Sequence, residues 1–292
     1  MVTIFLFLNF WLMLVIPIGV GVLIARRLQM RWTLFAVGMA GFVLSQVLHI
    51  PFNWLVLQQW ALLPTDVSVT GNLIILSIFL GLSAGVFEEV TRWAIYRFGI
   101  KDARTWGKGL MYGAGWGGVE AMLLGAIGLL NFTILRGMHQ GYFQGMIPAG
   151  QEELVARQIE AMFGLPWYMT LLGALERVFA ICLHLALSVM VLQCFIRRNR
   201  WWLAAAILWH ATVNATAVFT IRYTAPLIGN NQAGLLAEAV VAIFALLSLV
   251  IIFRLRTPEP EPTMIEPLPP PPPALPLDGP VSAETLEKSK YS

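Results

Sequence analysis

Charge is scarce in this sequence. Asp, Glu, Lys and Arg make up 12% of 292 residues, about half the share of an ordinary soluble domain, and that shortfall excludes a water-soluble globule. Cysteine is scarcer still. Cys182 and Cys194 are the only two; they fall on one predicted helix, too far apart to pair, so cysteine usage says nothing about redox compartment. Basic patches interleaved with aromatics are missing, which argues against a nucleic-acid partner. The opening MVTIFLFLNF has no positive n-region; its cations follow the apolar run instead, so that run is expected to stay as a span and not to be cleaved as a signal peptide. No internal repeat stands out.

What is present in excess is apolar sequence. Hydrophobic residues reach 58% and the mean hydropathy is +0.73. Apolar runs long enough to cross about 30 Å of hydrocarbon recur along the chain. The expected fold is all-α, a polytopic bundle of seven spans at 4–25, 32–59, 72–97, 109–135, 165–196, 201–222 and 232–254. Fourteen of the 19 Lys and Arg fall in alternate connections and the tail: Arg26, Arg27, Arg31, then Arg97 to Lys108, then Arg197 to Arg200, then Arg254 onward. The opposite connections hold only Arg136, Arg157 and Arg222. By the positive-inside rule the N-terminus is outside and the C-terminus cytoplasmic, in a bacterial-type plasma (inner) membrane. The net charge of +3 reports this topology.

Two segments are not spans. In the outer loop, 136–164, QEELVARQIEAMFG puts Leu154, Val155, Ile159, Met162 and Phe163 along one face, as an interfacial amphipathic helix does. His139, in the same loop, is expected to be solvated. Residues 1–256 thus form the transmembrane domain, and 257–292, with PLPPPPPALP, a disordered or polyproline cytoplasmic tail. A proline-reading partner for that tail is one reading; a flexible extension is the preferred one.

The informative residues are the polar ones inside spans, because a carboxylate at the bilayer centre costs roughly 2.5–3.5 kcal/mol on insertion scales. Span three has Glu88, Glu89 and Arg92; span four has Glu120; span five has Glu176, Arg177 and His184; span six has His210 and Asn214. Counting from the cytoplasmic cations, Glu88 is nine residues from Arg97, Glu120 twelve from Lys108, His184 thirteen from Arg197, and His210 ten from Arg200. At about 1.5 Å per residue all four lie roughly 13–20 Å above the inner boundary. Four crossings therefore bring two acids and two imidazoles to one level. Arg92 can pair with Glu88 or Glu89 one turn away, which leaves one carboxylate free. Arg177 and His184 share a face, and His210 and Asn214 can address one ligand together. His49, in span two, has no evident partner at this level and is assigned to packing.

A carboxylate and a histidine can deprotonate water, and a second histidine with an Asn can hold the oxyanion of a cleaved amide. The sequence has no GxSxG elbow, no paired Asp dyad and no HExxH helix to compete with that set. Glu88, His184 and His210 are also a His₂Glu set of the kind that holds catalytic zinc, so a zinc-dependent variant stays open. No cofactor is required by the sequence, and metal-free glutamate chemistry is preferred. A proton-coupled carrier with a midplane Glu/His relay is the rival reading; against it stands the lack of repeated halves with broken helices. A scaffold acting through its proline tail leaves the polar layer unexplained.

EEVTR, GGVE, ER…H and HATVN, taken together, resemble the YhfC-type membrane peptidases and, more distantly, the CAAX-processing, Abi and PrsW membrane proteases. The resemblance covers about 80–215. Two residues, not three, separate Glu89 from Arg92, and Ala180, not Phe, stands four before His184; both fit the YhfC-type variant. What the resemblance implies is an intramembrane peptidase acting on a membrane-embedded protein or peptide. Glu88, with Glu89 beside it, is then the base, His184 its partner, and His210 with Asn214 the oxyanion site. Arg92, Glu120, Glu176 and Arg177 support them, Glu120 being extra to the pattern and able to assist or replace Glu88.

Overall fold

A computed structural model describes residues 1–257 apart from 65, 144, 146 and 148. Eight α-helices carry the chain and no strand occurs among the described residues: α1 Val2–Leu28, α2 Trp32–Trp54, α3 Thr70–Ala94, α4 Trp106–His139, α5 Glu152–Phe163, α6 Leu172–Ile196, α7 Trp201–Ile228 and α8 Asn230–Arg254. α2 and α3 each end in a π-helical turn, Leu55–Gln59 and Ile95–Gly99, and a 3₁₀ turn, Met169–Leu171, leads into α6. All but α5 are apolar, and with those turns they run 25–34 residues, more than the ~20 needed to span hydrocarbon. The chain is a multi-pass membrane protein with seven spans. The Pro-rich tail, but for its first residue, lies outside the described residues.

Length and apolarity explain why these segments are helices: in lipid, every backbone N–H and C=O must be satisfied within the segment. Which helices meet is decided by side-chain size. α6 is the most buried span; from Ala186 to Gln193 every residue is buried. It packs on α4 and α8, while α4 also meets α1 and α2. α4 can sit between so many neighbours because its N-terminal half is nearly all buried and glycine-rich. A Cβ at Gly113 would stand 2.8 Å from the His184 carbonyl oxygen, and one at Gly117 3.0 Å from the His184 ring. The absence of both side chains lets the His184 face of α6 lie flush on α4.

α3 and α7 make the most extensive helix pairing, and again a glycine sets it. A Cβ at Gly85 would reach within 2.7 Å of the Ile207 carbonyl oxygen. Gly85→Ala should therefore destabilise by about 1–3 kcal/mol, the usual cost of overpacking, because backbone cannot swing aside. Gly71, with open space around its Cβ position in the same helix, is the control. Thermal midpoints in detergent should fall for Gly85→Ala and not for Gly71→Ala.

The helix over 152–163 is present, with Val155, Ile159, Met162 and Phe163 half-buried and Leu154 exposed. Glu153 and Arg157 pair on its outer face at 3.6 Å. α4 runs further than expected, so His139 lies in its last turn and not in a free loop; its ring stacks on Phe163 at 5.1 Å.

Candidate active site

Glu88 and Glu89 are successive residues on α3, about 100° apart around the helix, so they face different neighbours. Glu89 is fully buried against α7 and α6. Its Oε1 accepts from His210 Nδ1 at 2.9 Å, and its Oε2 lies 3.2 Å from Arg92 Nε. Arg92 is also 0% exposed. Its Nη1 donates to the His184 carbonyl at 3.0 Å and to Ser188 Oγ at 2.8 Å. Its Nη2 lies 3.2 Å from His184 Nδ1, and the guanidinium sits 4.3 Å from the Trp116 ring centre. One cation thus ties α3, α4 and α6 together.

Glu88 points elsewhere. Its Oε2 accepts from Trp116 Nε1 at 2.9 Å, and its Oε1 from Gln46 Nε2 at 3.3 Å. It has no ion-pair partner among the described residues. The pairing expected between Glu88 and His184 is not formed. His184 Nε2 instead meets Glu120 Oε2 at 2.7 Å, while Glu120 Oε1 accepts from Arg177 Nη1 at 2.9 Å. Arg177 also holds Glu176, its neighbour in sequence.

These partners fix protons. A guanidinium only donates, so His184 Nδ1 accepts, and the ring's proton is on Nε2, donated to Glu120. Both His184 nitrogens are therefore committed. His210 donates from Nδ1 to the Glu89 carboxylate, which leaves its Nε2 without a protein partner among the described residues. The two rings meet edge-on, centres 5.7 Å apart.

Glu88, Glu120, Glu176, Arg177, His184, His210 and Asn214 all line one cavity of about 100 Å³, closed on its apolar side by Phe179, Leu183, Val213, Val241 and Phe244. That is room for several waters. Arg92 stands behind the wall and braces it; Glu89 is not part of the lining, but one of its carboxylate oxygens lies within 4.8 Å of ligand atoms of Glu88 and His210. A larger recess of about 540 Å³ among Arg31, Lys101 and Lys108 has one carboxylate, Asp102, and no imidazole, so it carries no acid–base pair.

Metal fit can be tested on charge and donors. Carboxylates outnumber guanidiniums here, Glu88, Glu89, Glu120 and Glu176 against Arg92 and Arg177, and a surplus of acid groups in a membrane is costly and is relieved by a bound cation. One group among the described residues has ligand atoms close enough for one ion: Glu88, Glu89 and His210, all within 4.8 Å of one another. Oxygen and imidazole donors of this kind suit zinc. The set differs from the Glu88, His184 and His210 read from sequence, because Arg92 and Glu120 occupy both nitrogens of His184.

Several polar partners escaped the sequence reading, among them Ser188 beside Arg92. Trp116 lay hidden among glycines, and Gln46 carries no charge to mark it. His49, assigned to packing, is hydrogen-bonded to Gln46 at 3.1 Å and to Asn53 at 3.0 Å, with Ser83 Oγ 3.3 Å from its Nε2. The signal was there: Gln46, His49 and Asn53 recur at three and four residues, one helical face.

Comparison with known proteins gives the chain a family. The model of the YhfC intramembrane metalloprotease family matches residues 12–230, which takes in all four motif segments and stops at the start of α8. The chain is 30% identical over 248 residues to YhfC of Bacillus subtilis (strain 168), described as an uncharacterized membrane protein, covering 84% of this chain and 93% of that one. No solved structure matches. With three-quarters of its length matched, the chain belongs to the YhfC intramembrane metalloprotease family.

Proposed function

We propose that this membrane protease hydrolyses a peptide bond of a membrane-embedded protein or peptide, with a divalent ion held by Glu88, Glu89 and His210 and with Glu120 as the proton acceptor. The observation that carries the reading is the single cavity: Glu88 and His210 on one wall, the Glu120–His184 pair on another. The metal reading replaces the metal-free preference, because it accounts for the surplus of carboxylates and the three converging donors. When bound there, an ion such as zinc supplies Lewis acidity and lowers the pKa of a water.

The protein's residues do the rest. Glu120 takes a proton from water while the water oxygen bonds to the scissile carbonyl carbon. His184, donating from Nε2, and Arg177, donating from Nη1, hold that carboxylate aimed at the cavity. The Asn214 amide, which lines the cavity and has no other hydrogen bond among the described residues, donates to the oxyanion. Glu120 then hands its proton to the leaving nitrogen as the C–N bond breaks. The apolar wall of α6, α7 and α8 keeps bulk water and stray nucleophiles out. By the cation distribution the N-terminus lies outside and the cavity is nearer the cytoplasmic half.

The test is metal content and turnover together. Purified protein should carry about one divalent ion per chain, the ratio of a mononuclear site. Cleavage of a membrane-embedded reporter should stop with chelator and return with zinc, and Glu88→Gln should lose the ion while remaining inserted. Full turnover by metal-free protein would overturn the metal reading.

A further inference from the structure

α2 contributes none of the four motif segments, yet it reaches the site. Gln46 Nε2 donates to Glu88 Oε1 at 3.3 Å. The other end of the amide, Gln46 Oε1, is 3.1 Å from His49 Nδ1. His49 Nε2 is 3.0 Å from Asn53 Nδ2, and an amide NH₂ only donates. His49 Nε2 must therefore accept, so its proton is on Nδ1 and goes to Gln46. Ser83, which also lies against Nε2 at 3.3 Å, sends its own hydrogen to the Leu80 carbonyl. The bonds run in one sense, Asn53 to His49 to Gln46 to Glu88, and each polarises the next. The His49 ring is clamped by stacking on Phe87, centres 5.6 Å apart, and Phe87 is backed by Phe52 at 5.1 Å.

The consequence lies in what Gln46 can present. An unrestrained glutamine can turn either its oxygen or its NH₂ toward a carboxylate. With Oε1 held by His49, only the NH₂ faces Glu88. Trp116 holds the other Glu88 oxygen, so the plane of the carboxylate is fixed from both sides and its remaining lone pairs have one direction. We infer that Gln46 and His49 are positioning residues for Glu88: an α2 hydrogen-bond chain sets the orientation in which that carboxylate meets the metal ion. The inference rests on the metal reading above. It gives α2, a span outside the four motif segments, a part in the reaction.

Outer partners of metal ligands typically contribute 10–100-fold in affinity, and zinc affinity of the full-length protein, by competition with a chromophoric chelator, reads this directly. Gln46→Leu should weaken zinc binding by about 10–100-fold, and His49→Leu should weaken it in the same direction. His49→Asn, whose amide N–H can stand in for Nδ1–H, should restore most of the affinity. Thermal midpoints of the zinc-free variants should match the wild type. Unchanged zinc affinity in both leucine variants overturns the inference. So does a loss matched by an equal fall in the zinc-free midpoint and not relieved by His49→Asn, since that pattern is packing. Failure of the wild type itself to bind zinc is distinguishable, and removes the metal reading together with the inference.

Discussion

Glu120→Gln is expected to lower turnover by about 10²–10⁴-fold, the usual contribution of a general base, while the protein keeps its metal. The amide cannot take a proton from water, and it presents an NH₂ where either His184 Nε2–H or Arg177 Nη1–H needs an acceptor. Glu88→Gln, by contrast, should lose turnover and metal together. That double dissociation separates the two carboxylates, which share one cavity and look alike in sequence. Glu120→Asp refines it: the carboxylate is kept but drawn back by one methylene, and a displacement of about 1 Å costs on the order of 10²-fold when a reacting group is misplaced. Wild-type turnover in Glu120→Gln would remove Glu120 from the acceptor role, and turnover lost only along with the metal would make it a structural prop.

The sequence carried depth well and rotation poorly. Counting residues from the cations of alternate connections put Glu88, Glu120, His184 and His210 at one level because helical rise is constant, and all four line the same cavity. Spacing along one helix, however, does not say which way that helix is turned against its neighbours. Arg92 could meet Glu88 at four residues or Glu89 at three; the packing of α3 on α7 turned Glu89 inward and gave it both Arg92 and His210. The same rotation left Glu88 to neutral donors and gave His184 to Glu120, which had read as surplus.

Residues without charge were the least legible. Gln46 and Trp116 become significant only once Glu88 is seen between them. The helix count was legible from run length alone, since a lipid environment leaves an apolar stretch of this size few alternatives. The overlong α4 was not, because its last turn past Leu135 is polar enough to pass for a loop and is held by contacts that sequence does not show, Phe163 against Phe132 and His139.

Arg92→Met is expected to cost about 3–5 kcal/mol of stability, the penalty for leaving one partner of a buried ion pair alone. Against total stabilities of roughly 5–15 kcal/mol, that should show as a sharp drop in folded yield from membranes and in the detergent thermal midpoint. The loss is not only Glu89's. The His184 carbonyl and Ser188 Oγ each lose a charged donor, and His184 Nδ1 loses the donor that holds the ring's own N–H on Nε2, so the bond that orients Glu120 loosens too. Arg92→Lys should recover part of the folding, because one ammonium can meet Glu89 but cannot span the fork to Ser188 and both His184 atoms. Arg92→Met with Glu89→Met should recover more, since an apolar pair of similar volume often replaces a buried ion pair at no cost, yet it should bind no metal and cleave nothing. Folding would then be separated from function at a single pair. A wild-type midpoint and yield for Arg92→Met would show instead that the fully buried guanidinium is dispensable, and that α3, α4 and α6 are held together by shape alone.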